Sequence, residues 1–344
     1  MEQEWKSLRL QVNSNYTLIS QFVFVGFIGQ QQMPQLIGTF FLFIYILTLV
    51  GNVFILHTVK KVKKLHTPMF IMIMNLAASD IIYSTTVSPQ IIYFYLTGFK
   101  EIQFHMCFVQ MFFLHYAGSV DSYLMAAMAI DRFVSICYPL RYPTILSNSV
   151  AYKMCAVAWI AGIVVPLVIV LYSFPLPYCG PNKIVHLYCQ HGLVARLACT
   201  DTSLTLIRAL ILAFVALLGS FFIILFSYLK IIIAVIKIVT KNTKEKAFYT
   251  CSTQLIVVLI YYIPRLFSYT SLSVSFNIPT DINTALGVSY CLLPPLVNPI
   301  IYSYRTKEIK NEFLKKISSA KIVPKNKKIE HGLRSGKRNS THIK

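Results

Sequence analysis

The sequence predicts an all-α membrane protein: a seven-transmembrane helix bundle, followed by a short amphipathic helix on the membrane surface. Three observations lead to this prediction. The chain is unusually apolar, its apolar residues fall into seven runs, and its basic residues alternate between the connections of those runs. Of the 344 residues, 56% are hydrophobic and 13% are charged, whereas about 25% of residues are charged in ordinary soluble domains. A soluble core cannot bury so much apolar surface, but a bilayer can.

Each apolar run is long enough to cross the hydrocarbon core, which is about 30 Å thick and needs about 20 residues of helix. None of them alternates polar and apolar residues in the manner of barrel strands. The predicted spans cover residues 36–59, 69–96, 106–138, 150–173, 205–236, 247–272 and 282–303. The predicted organisation is an extracellular tail (1–33), the bundle (34–304), the amphipathic helix (305–317) and a basic cytoplasmic tail (318–344).

Lysine and arginine are distributed unevenly between the two sides of the membrane. Of the 32 basic residues, 25 lie on the side of the carboxyl end and 7 on the other side. The positive-inside rule therefore places the amino end outside and the carboxyl end in the cytoplasm of a multi-pass plasma-membrane protein. The net charge of +20 reflects this asymmetry, so no nucleic-acid partner is needed to explain it. Asn15 begins a sequon in the predicted outer tail, where glycosylation is expected.

Four cysteines fall outside the predicted spans or at their outer ends. Cys107 begins the third span, and Cys179, Cys189 and Cys199 lie in the loop 174–204. This side of the membrane is oxidising, and four thiols permit three pairings. Spacing alone does not choose between them. Two bridges would turn the long loop into a fixed lid over the mouth of the bundle.

Two carboxylates fall inside predicted spans, where an ionised side chain costs about 2.5–3.5 kcal/mol even on the mildest scale. Asp80 and Asp121 each lie roughly 16 Å from the inner end of their span, at a rise of about 1.5 Å per residue. Two acids at one depth on neighbouring helices favour a shared cation, with sodium as the expected ion, or a shared proton. Two separately hydrogen-bonded side chains are the alternative that the sequence leaves open. No other metal or cofactor is expected.

Asp131 and Arg132 stand where the third span meets the cytosol. Arg132 can pair with Asp131 or reach inward, and an ion pair at this boundary costs little to form and to break. Such a pair suits a conformational switch. Simple anchoring at the interface would also place charged residues here.

Polar side chains repeat along the third and sixth spans at the three- and four-residue spacing of one helix face. They are His115, Ser119 and Ser122 on the third span and Tyr262, Arg265 and Tyr269 on the sixth. Because cavities in helical bundles are mostly apolar with a few polar groups, these stripes predict a ligand site. Arg265, predicted near the outer mouth, would either bind an anionic ligand or snorkel to the outer headgroups. Gly118 and Arg208 complete the predicted ligand-binding set.

The segment after the last span has one apolar face and lysines opposite it. Ile309, Phe313, Leu314 and Ile317 form that face, as in a helix lying on the inner membrane surface. Residues 318–344 are basic and polar, so we expect a disordered tail that associates with anionic membrane lipids. A solubilising or trafficking role for this tail stays open.

Seven motifs occur in order at matching places on the seven spans. They are GNVFIL (51–56), LHTPMF (65–70), NLAASD (75–80), MAIDRFVSICYPLRY (128–142), SYLKII (227–232), KAFYTCSTQL (246–255) and PPLVNPIIYSYR (294–305). Together they closely resemble the olfactory (odorant) receptors, a branch of the rhodopsin-like (class A) G-protein-coupled receptors, over about residues 20–317. The family commonly has Phe-Tyr-Gly where this chain has Tyr261-Tyr262-Ile263, which leaves Tyr262 as the expected toggle side chain.

The resemblance implies a receptor, not an enzyme, that binds a small-molecule odorant within the bundle and activates a heterotrimeric G protein. The implied partner is the stimulatory olfactory-type α subunit, which raises cyclic AMP. Arg132 would leave Asp131 on activation and receive the carboxyl-terminal helix of that subunit, with Tyr228 and Tyr302 supporting the open form. The implied disulfides are Cys107–Cys189 and Cys179–Cys199, and the implied sodium or proton site is Asp80, Asp121 and Asn298.

Other classes of membrane protein fit the sequence less well. A transporter would show internal repeats and interrupted helices at mid-membrane, and no repeat is found. An intramembrane enzyme would need metal-ligand spacing or a placed nucleophile, and the spans contain neither pattern. A retinal-based light sensor would need a lysine in 282–303, which has none. A non-olfactory class A receptor for a small lipid or peptide remains the main alternative, with a transporter as the alternative from another class.

Overall fold

The computed structural model describes residues 19–29, 33–179, 182–236, 255–268, 270, 279–305, 309–312 and 314. Seven long helices run through these residues and follow the seven predicted spans in order. Their bounds are α1 Pro34–Lys61, α2 Pro68–Thr97, α3 Phe104–Cys137, α4 Asn148–Ser173, α5 Ser203–Ile236, α6 Leu255–Ser268 and α7 Thr280–Arg305. Helix α4 is made of two segments, Asn148–Gly162 and Val164–Ser173.

Proline and glycine mark several of the helix ends. Pro34 and Pro68 open α1 and α2, where the missing amide hydrogen costs nothing because the first amides of a helix have no partner within it. Gly98 ends α2 with φ of 76°, and its amide donates to the carbonyl of Phe94. This left-handed conformation is open to glycine without a steric penalty. Lys60 and Lys61 occupy the last turn of α1, where cations are favourable.

Within the described ranges, five helices are long and apolar enough to cross a membrane: α1, α2, α4, α5 and α7. Helix α3 is long enough at 34 residues but is not among these five, and it carries the charged residues Asp121, Asp131 and Arg132. Helix α6 is described only for Leu255–Ser268, which is shorter than a full span. The large apolar side chains of α1, α4 and α5 are exposed on their outer faces, as expected for surfaces that contact lipid.

Helix α3 lies at the centre of the bundle and packs against α2, α4 and α5. Its amino-terminal half joins an apolar cluster with α7 and the loop between α4 and α5, through residues such as Met111 and Leu114. Its inner half belongs to a second cluster, around Leu124 and Met128. A third cluster joins α3 to α5 and α6 and includes Met125. The polar residues of α3 are therefore buried between apolar layers.

Three short strands among the described residues form a sheet on the outer side, which the sequence pattern did not predict. Their bounds are β1 Gln21–Phe24, β2 Glu101–Gln103 and β3 Lys183–Ile184, in the order β2-β1-β3. Strand β1 is antiparallel to β2 and parallel to β3. Segments of two to four residues are too short for an alternating pattern to be recognised. The sheet ties the amino-terminal segment to the loop that follows α4.

Disulfides fix this outer loop in place, and the structure has the two pairs that the family resemblance implies. Cys107 at the head of α3 is bonded to Cys189, and Cys179 is bonded to Cys199. Tyr188 and Cys189 are fully buried, so the middle of the loop reaches down over the mouth of the bundle. The loop is therefore the lid that the cysteine positions suggested.

Only part of the predicted amphipathic helix after α7 is described. Residues 309–312 and Leu314 are helical, and Ile309 is buried in the inner cluster around Leu124 and Met128. Leu314, predicted on the same face, is 52% exposed. Residues 306–308, 313 and 315–317, the basic tail 318–344 and Asn15 lie outside the described residues.

Candidate functional site

A small cavity in the middle of the bundle collects most of the predicted ligand-binding residues. This inner cavity has a volume of about 30 Å³, enough for about two water molecules. From the predicted set it is lined by His115, Gly118, Ser119, Ser122 and Arg265, and the apolar residues of its wall are Val165, Ala213, Ala216 and Leu217. The stripe predicted on the third span therefore does face a cavity.

Arg265 is turned into the bundle and does not snorkel, so that interpretation of the sequence was wrong. Its side chain is 5% exposed. The guanidinium donates to the carbonyl of Gly118 and to the hydroxyls of Tyr83 and Tyr261. It also lies over the rings of Tyr83, Tyr261 and Tyr290, at 5.6, 4.3 and 5.4 Å from their centroids. Such cation–π contacts stabilise a desolvated cation.

The predicted depth of Arg265 was also wrong. Its partner Gly118 lies eleven residues after Cys107, which is about 16 Å down α3 at 1.5 Å per residue. The guanidinium is therefore near mid-membrane and not at the outer mouth. At this depth it lies close enough to Asp121 for a direct electrostatic attraction.

Gly118 is the residue that makes room for the guanidinium. A Cβ atom at this position would lie 2.6 Å from Nη2 and 3.0 Å from Nη1 of Arg265. The carbonyl of Gly118 also accepts from Ser122 and Tyr261, and the hydroxyls of Ser122 and Tyr261 are 2.9 Å apart. One carbonyl of α3 thus joins α6 to α3 at the floor of the inner cavity.

A larger cavity lies between the inner cavity and the outer loop. This outer cavity has a volume of about 330 Å³, within the range of small-molecule sites. It shares His115 and Ala213 with the inner cavity, so the cavities adjoin there. The rest of its lining is Ile169, Gln190, His191, Gly192, Arg196, Ser203, Leu206, Ile207, Ala209, Leu210 and Tyr290.

The loop residues of the outer cavity were missed by reasoning from the sequence. Gln190 and His191 directly follow Cys189, which the disulfide holds against the head of α3. The bond between Cys189 and Cys107 places the residues beside Cys189 over the bundle. This pairing was the one feature of the sequence that could have pointed to Gln190 and His191 as cavity residues. His191 Nε2 lies 2.9 Å from the hydroxyl of Ser173 at the end of α4. Burial lowers the pKa of His191 to about 4, so the ring is neutral at physiological pH.

Arg208 and Tyr262, two of the predicted ligand residues, do not line either cavity. Arg208 is exposed, stacks 5.3 Å over the ring of Tyr172 and lines neither cavity. Its neighbour Ala209 is the residue that faces inward, because successive helix positions differ by about 100°. Tyr262 is buried beside the hydroxyl of Ser220 at 2.9 Å, below the cavity lining, while Tyr261 takes the position next to Arg265. Tyr269 lies outside the described residues.

The acidic pair is buried, and Asp121 lies on α3 between Ser119 and Ser122 of the inner cavity. The amide of Asn298 donates to Asp80 Oδ2 at 2.9 Å. Oδ1 of Asp80 and Oδ1 of Asp121 have no hydrogen-bond partner within the part of the chain that the structure describes. The carboxylates are near enough for direct Coulombic repulsion. Buried oxygen atoms of this kind are suited to a hard cation, which prefers oxygen ligands, or to a shared proton.

Near the carboxyl end of α3, Asp131 is held by two groups. Arg132 Nη2 lies 3.6 Å from Oδ2 of Asp131, and the hydroxyl of Tyr142 donates to Oδ1 at 2.7 Å. Tyr142 begins the short helix Tyr142–Ile145 after α3. Tyr228 and Tyr302 are both buried but pack in different apolar clusters, with Tyr228 between α3, α5 and α6 and Tyr302 in the inner cluster.

Comparison with known proteins identifies the family. The family model described as olfactory receptor matches residues 41–321. The chain is 35% identical to human olfactory receptor 6N1 over 90% of this chain and 98% of that protein. It is 38% identical to human olfactory receptor 4D1 over 86% and 94%, and 35% identical to human olfactory receptor 10C1 over 91% and 99%. These relatives are G-protein-coupled receptors and not enzymes. The chain therefore belongs to the olfactory receptor family, as a multi-pass membrane protein with a seven-helix bundle.

Proposed function

We propose that this odorant receptor binds a small molecule in the adjoining outer and inner cavities and activates the stimulatory olfactory-type G protein, raising cyclic AMP. The observation that carries the proposal is the meeting of the cavities at His115 and Ala213, with Arg265 at the inner end. A ligand that enters from the outer cavity can place one end beside the guanidinium. It then contacts α3, α5 and α6 together.

An anionic group on the ligand is the best match for Arg265. The guanidinium donates to neutral oxygens, namely the carbonyl of Gly118 and the tyrosine hydroxyls of Tyr83 and Tyr261. Hydrogen bonds between two charged groups are roughly twice as strong as those with neutral partners. A carboxylate in the inner cavity would therefore compete well for these donors. Withdrawing the guanidinium from Gly118 would weaken a contact that holds α6 against α3.

The response at the cytoplasmic end would follow from the loss of the contacts of Asp131. A ligand shifts an equilibrium only by its differential affinity for the two states, and the closed state is held by the bonds of Asp131 to Arg132 and Tyr142. When α6 moves away from α3, Arg132 becomes available to the G-protein α subunit. Tyr228 and Tyr302 would support that open form from α5 and α7.

Asp80, Asp121 and Asn298 are the residues that would hold a sodium ion or a shared proton. A bound sodium ion would neutralise the buried carboxylates. Arg265 already attracts Asp121, so an anion at Arg265 would change the charge balance of the acidic pair. We further propose that the chain resides in the plasma membrane with its amino end outside, and that the basic tail contacts anionic lipid.

Replacing Arg265 by Gln tests this proposal, with Arg208→Gln as the matched control. Both changes remove one arginine on the outer half of the protein, but Arg208 is exposed and lines neither cavity. In cells with a cyclic-AMP reporter and equal surface expression, Arg265→Gln should abolish responses to carboxylate odorants that the parent detects. Arg208→Gln should retain them. Equal responses from both variants would contradict a ligand contact at Arg265.

A further inference from the structure

We propose that the outer cavity recognises a hydrogen-bond donor and acceptor that lie side by side on the ligand, as in a secondary amide or a lactam, and that Gln190 contacts them. This inference rests on the proposed binding of a small molecule in the cavities, and it names the chemical class of the ligand. It concerns a different part of the ligand from the group that reaches Arg265, because Gln190 lines the outer cavity only.

The side chain of Gln190 is buried, but its amide group makes no hydrogen bond within the described part of the chain. It is 4% exposed, and neither its Oε1 nor its Nε2 has a hydrogen-bond partner among the described residues. Gln190 caps the helix His191–Ala195 without a side-chain bond. Buried side-chain amides are normally satisfied, since each unsatisfied group costs about 1–3 kcal/mol. An exception at a cavity wall indicates a contact made by something else.

Gln110 lies in the same region, and both polar atoms of its side-chain amide are hydrogen-bonded, unlike those of Gln190. It is also buried, but its Nε2 donates to the carbonyl of Thr86 at 3.0 Å and its Oε1 accepts from the amide of Cys189 at 2.9 Å. Its polar atoms therefore join α3 to α2 and to the loop. Gln190, one residue after Cys189, has the same groups without a partner among the described residues, and it lines the outer cavity.

The backbone of Gln190 is fixed, so the point from which the side chain extends is set before a ligand binds. Its amide donates to the carbonyl of Tyr188 at 2.9 Å, and its carbonyl accepts from Val194 at 3.0 Å. The neighbouring Cys189 is bonded to Cys107 of α3. The backbone at Gln190 therefore loses little conformational entropy when a ligand binds, which favours affinity.

The rest of the cavity sets the remaining chemistry of the ligand. Ile169, Leu206, Ile207 and Leu210 provide an apolar wall, so most of the ligand must be apolar. His115 lines the cavity as well, and its Nε2 also has no hydrogen-bond partner in the described residues. It offers a second polar contact at the junction with the inner cavity.

A side-chain amide has an N–H donor and a carbonyl acceptor next to each other. A secondary amide or lactam offers the complementary pair and can satisfy both at once. An ester, a ketone or a carboxylate offers acceptors only, so it would leave Oε1 of Gln190 buried without a donor. Leaving that oxygen unsatisfied should weaken binding by about tenfold or more.

The test is a panel of compound pairs that share a carbon skeleton, each pair being a lactam or secondary amide and the corresponding lactone or ester. Cyclic-AMP concentration–response curves are recorded in cells expressing the parent, Gln190→Met or Gln103→Met, with surface labelling of each. Gln103 is an exposed glutamine on β2, so it controls for the substitution itself. Gln190→Glu, which keeps an acceptor and loses the donor, is the second variant.

The parent and Gln103→Met should respond to amides at least tenfold more sensitively than to the matched esters. Gln190→Met should remove that preference while responses to the esters persist, and Gln190→Glu should weaken the amide response. Equal potency of amides and esters in the parent, or an unchanged preference in Gln190→Met, would overturn the assignment and leave the proposed function intact. A parent that reaches the surface and responds to no small molecule of any class would instead overturn the proposed function.

Discussion

Replacing Gly118 by Ala adds one methyl group at the place where α3 and α6 are closest to the ligand. The new Cβ would lie 2.6 Å from Nη2, 3.0 Å from Nη1 and 3.1 Å from Cζ of Arg265. Real Cβ atoms do not approach other atoms to 2.6 Å, so the guanidinium must move. Because it is the end of a flexible side chain, it can move without unfolding the bundle. We therefore expect normal folding and surface expression.

The displaced guanidinium leaves the position in which it would bind the carboxylate of a ligand, and the inner cavity of about 30 Å³ loses room for that group. The hydrogen bond that is lost is therefore the one between the ligand and Arg265. A hydrogen bond to a charged group contributes about 1.5–3 kcal/mol, and each 1.4 kcal/mol is a factor of about ten in an equilibrium constant. The potency of anionic agonists should therefore fall by about tenfold to a hundredfold.

The assay is a cyclic-AMP concentration–response curve beside a surface-labelling measurement. Gly219→Ala is the matched control, since Gly219 also lies in a helix but a Cβ atom there would meet no atom within 4 Å among the described residues. It should leave potency unchanged. If Gly118→Ala responds like the parent to carboxylate agonists, the close packing of Arg265 on α3 does not govern ligand binding.

Three further predictions concern the switch, the lid and the acidic pair. Tyr142→Phe removes the 2.7 Å bond to Asp131 and should raise basal cyclic AMP severalfold at equal surface expression; unchanged basal signalling would remove Tyr142 from the switch. Burial lowers the pKa of His186 to about 3 and of His191 to about 4, so below about pH 6.5 the unfolded chain binds more protons than the folded one. Thermal stability in detergent should fall from about pH 6.5 towards pH 4, less steeply in His191→Asn, and an identical slope in that variant would contradict this. Sodium should raise the melting temperature of the parent and not that of Asp80→Asn, and no sodium effect in the parent would exclude the ion.

The helices could be predicted from the sequence because each apolar run has the length that a bilayer demands. The stripe on α3 could also be predicted, since one helix with clear periodicity shows its own inner face. The small outer sheet could not be predicted. Its strands, such as β3 with two residues, are stabilised by pairing between segments far apart in the chain.

The orientations of Arg265 on α6 and Arg208 on α5 could not be predicted from the sequence pattern. Arg265 was expected at the outer mouth, but the tyrosines around it accept its hydrogen bonds and cover its charge. That compensation depends on contacts between four helices, which no local pattern contains. Arg208 and Ala209 are adjacent in a nearly uniform apolar helix, so the sequence does not show which of them faces the cavity.

The position of Gln190 at the cavity wall could not be predicted from the sequence either. Nothing about a single glutamine in a long polar loop indicates a ligand contact. Its significance depends on the bond between Cys189 and Cys107 and on the contrast with the satisfied Gln110. The cysteines indicated that the loop is a lid, but only the three-dimensional arrangement shows which residue of the lid faces the cavity.

The central claim is that a small molecule in the cavities near His115 and Arg265 opens the cytoplasmic face at Asp131 and Arg132. The most direct measurement is the rate of guanine-nucleotide exchange on a purified heterotrimeric G protein added to membranes that contain the receptor. We predict that an agonist accelerates exchange in the parent and not in Ser119→Val at equal receptor content, since the added methyl groups would occupy the inner cavity of about 30 Å³. Acceleration that is equal in both, or an agonist that drives a solute or current across the membrane without accelerating exchange, would contradict it.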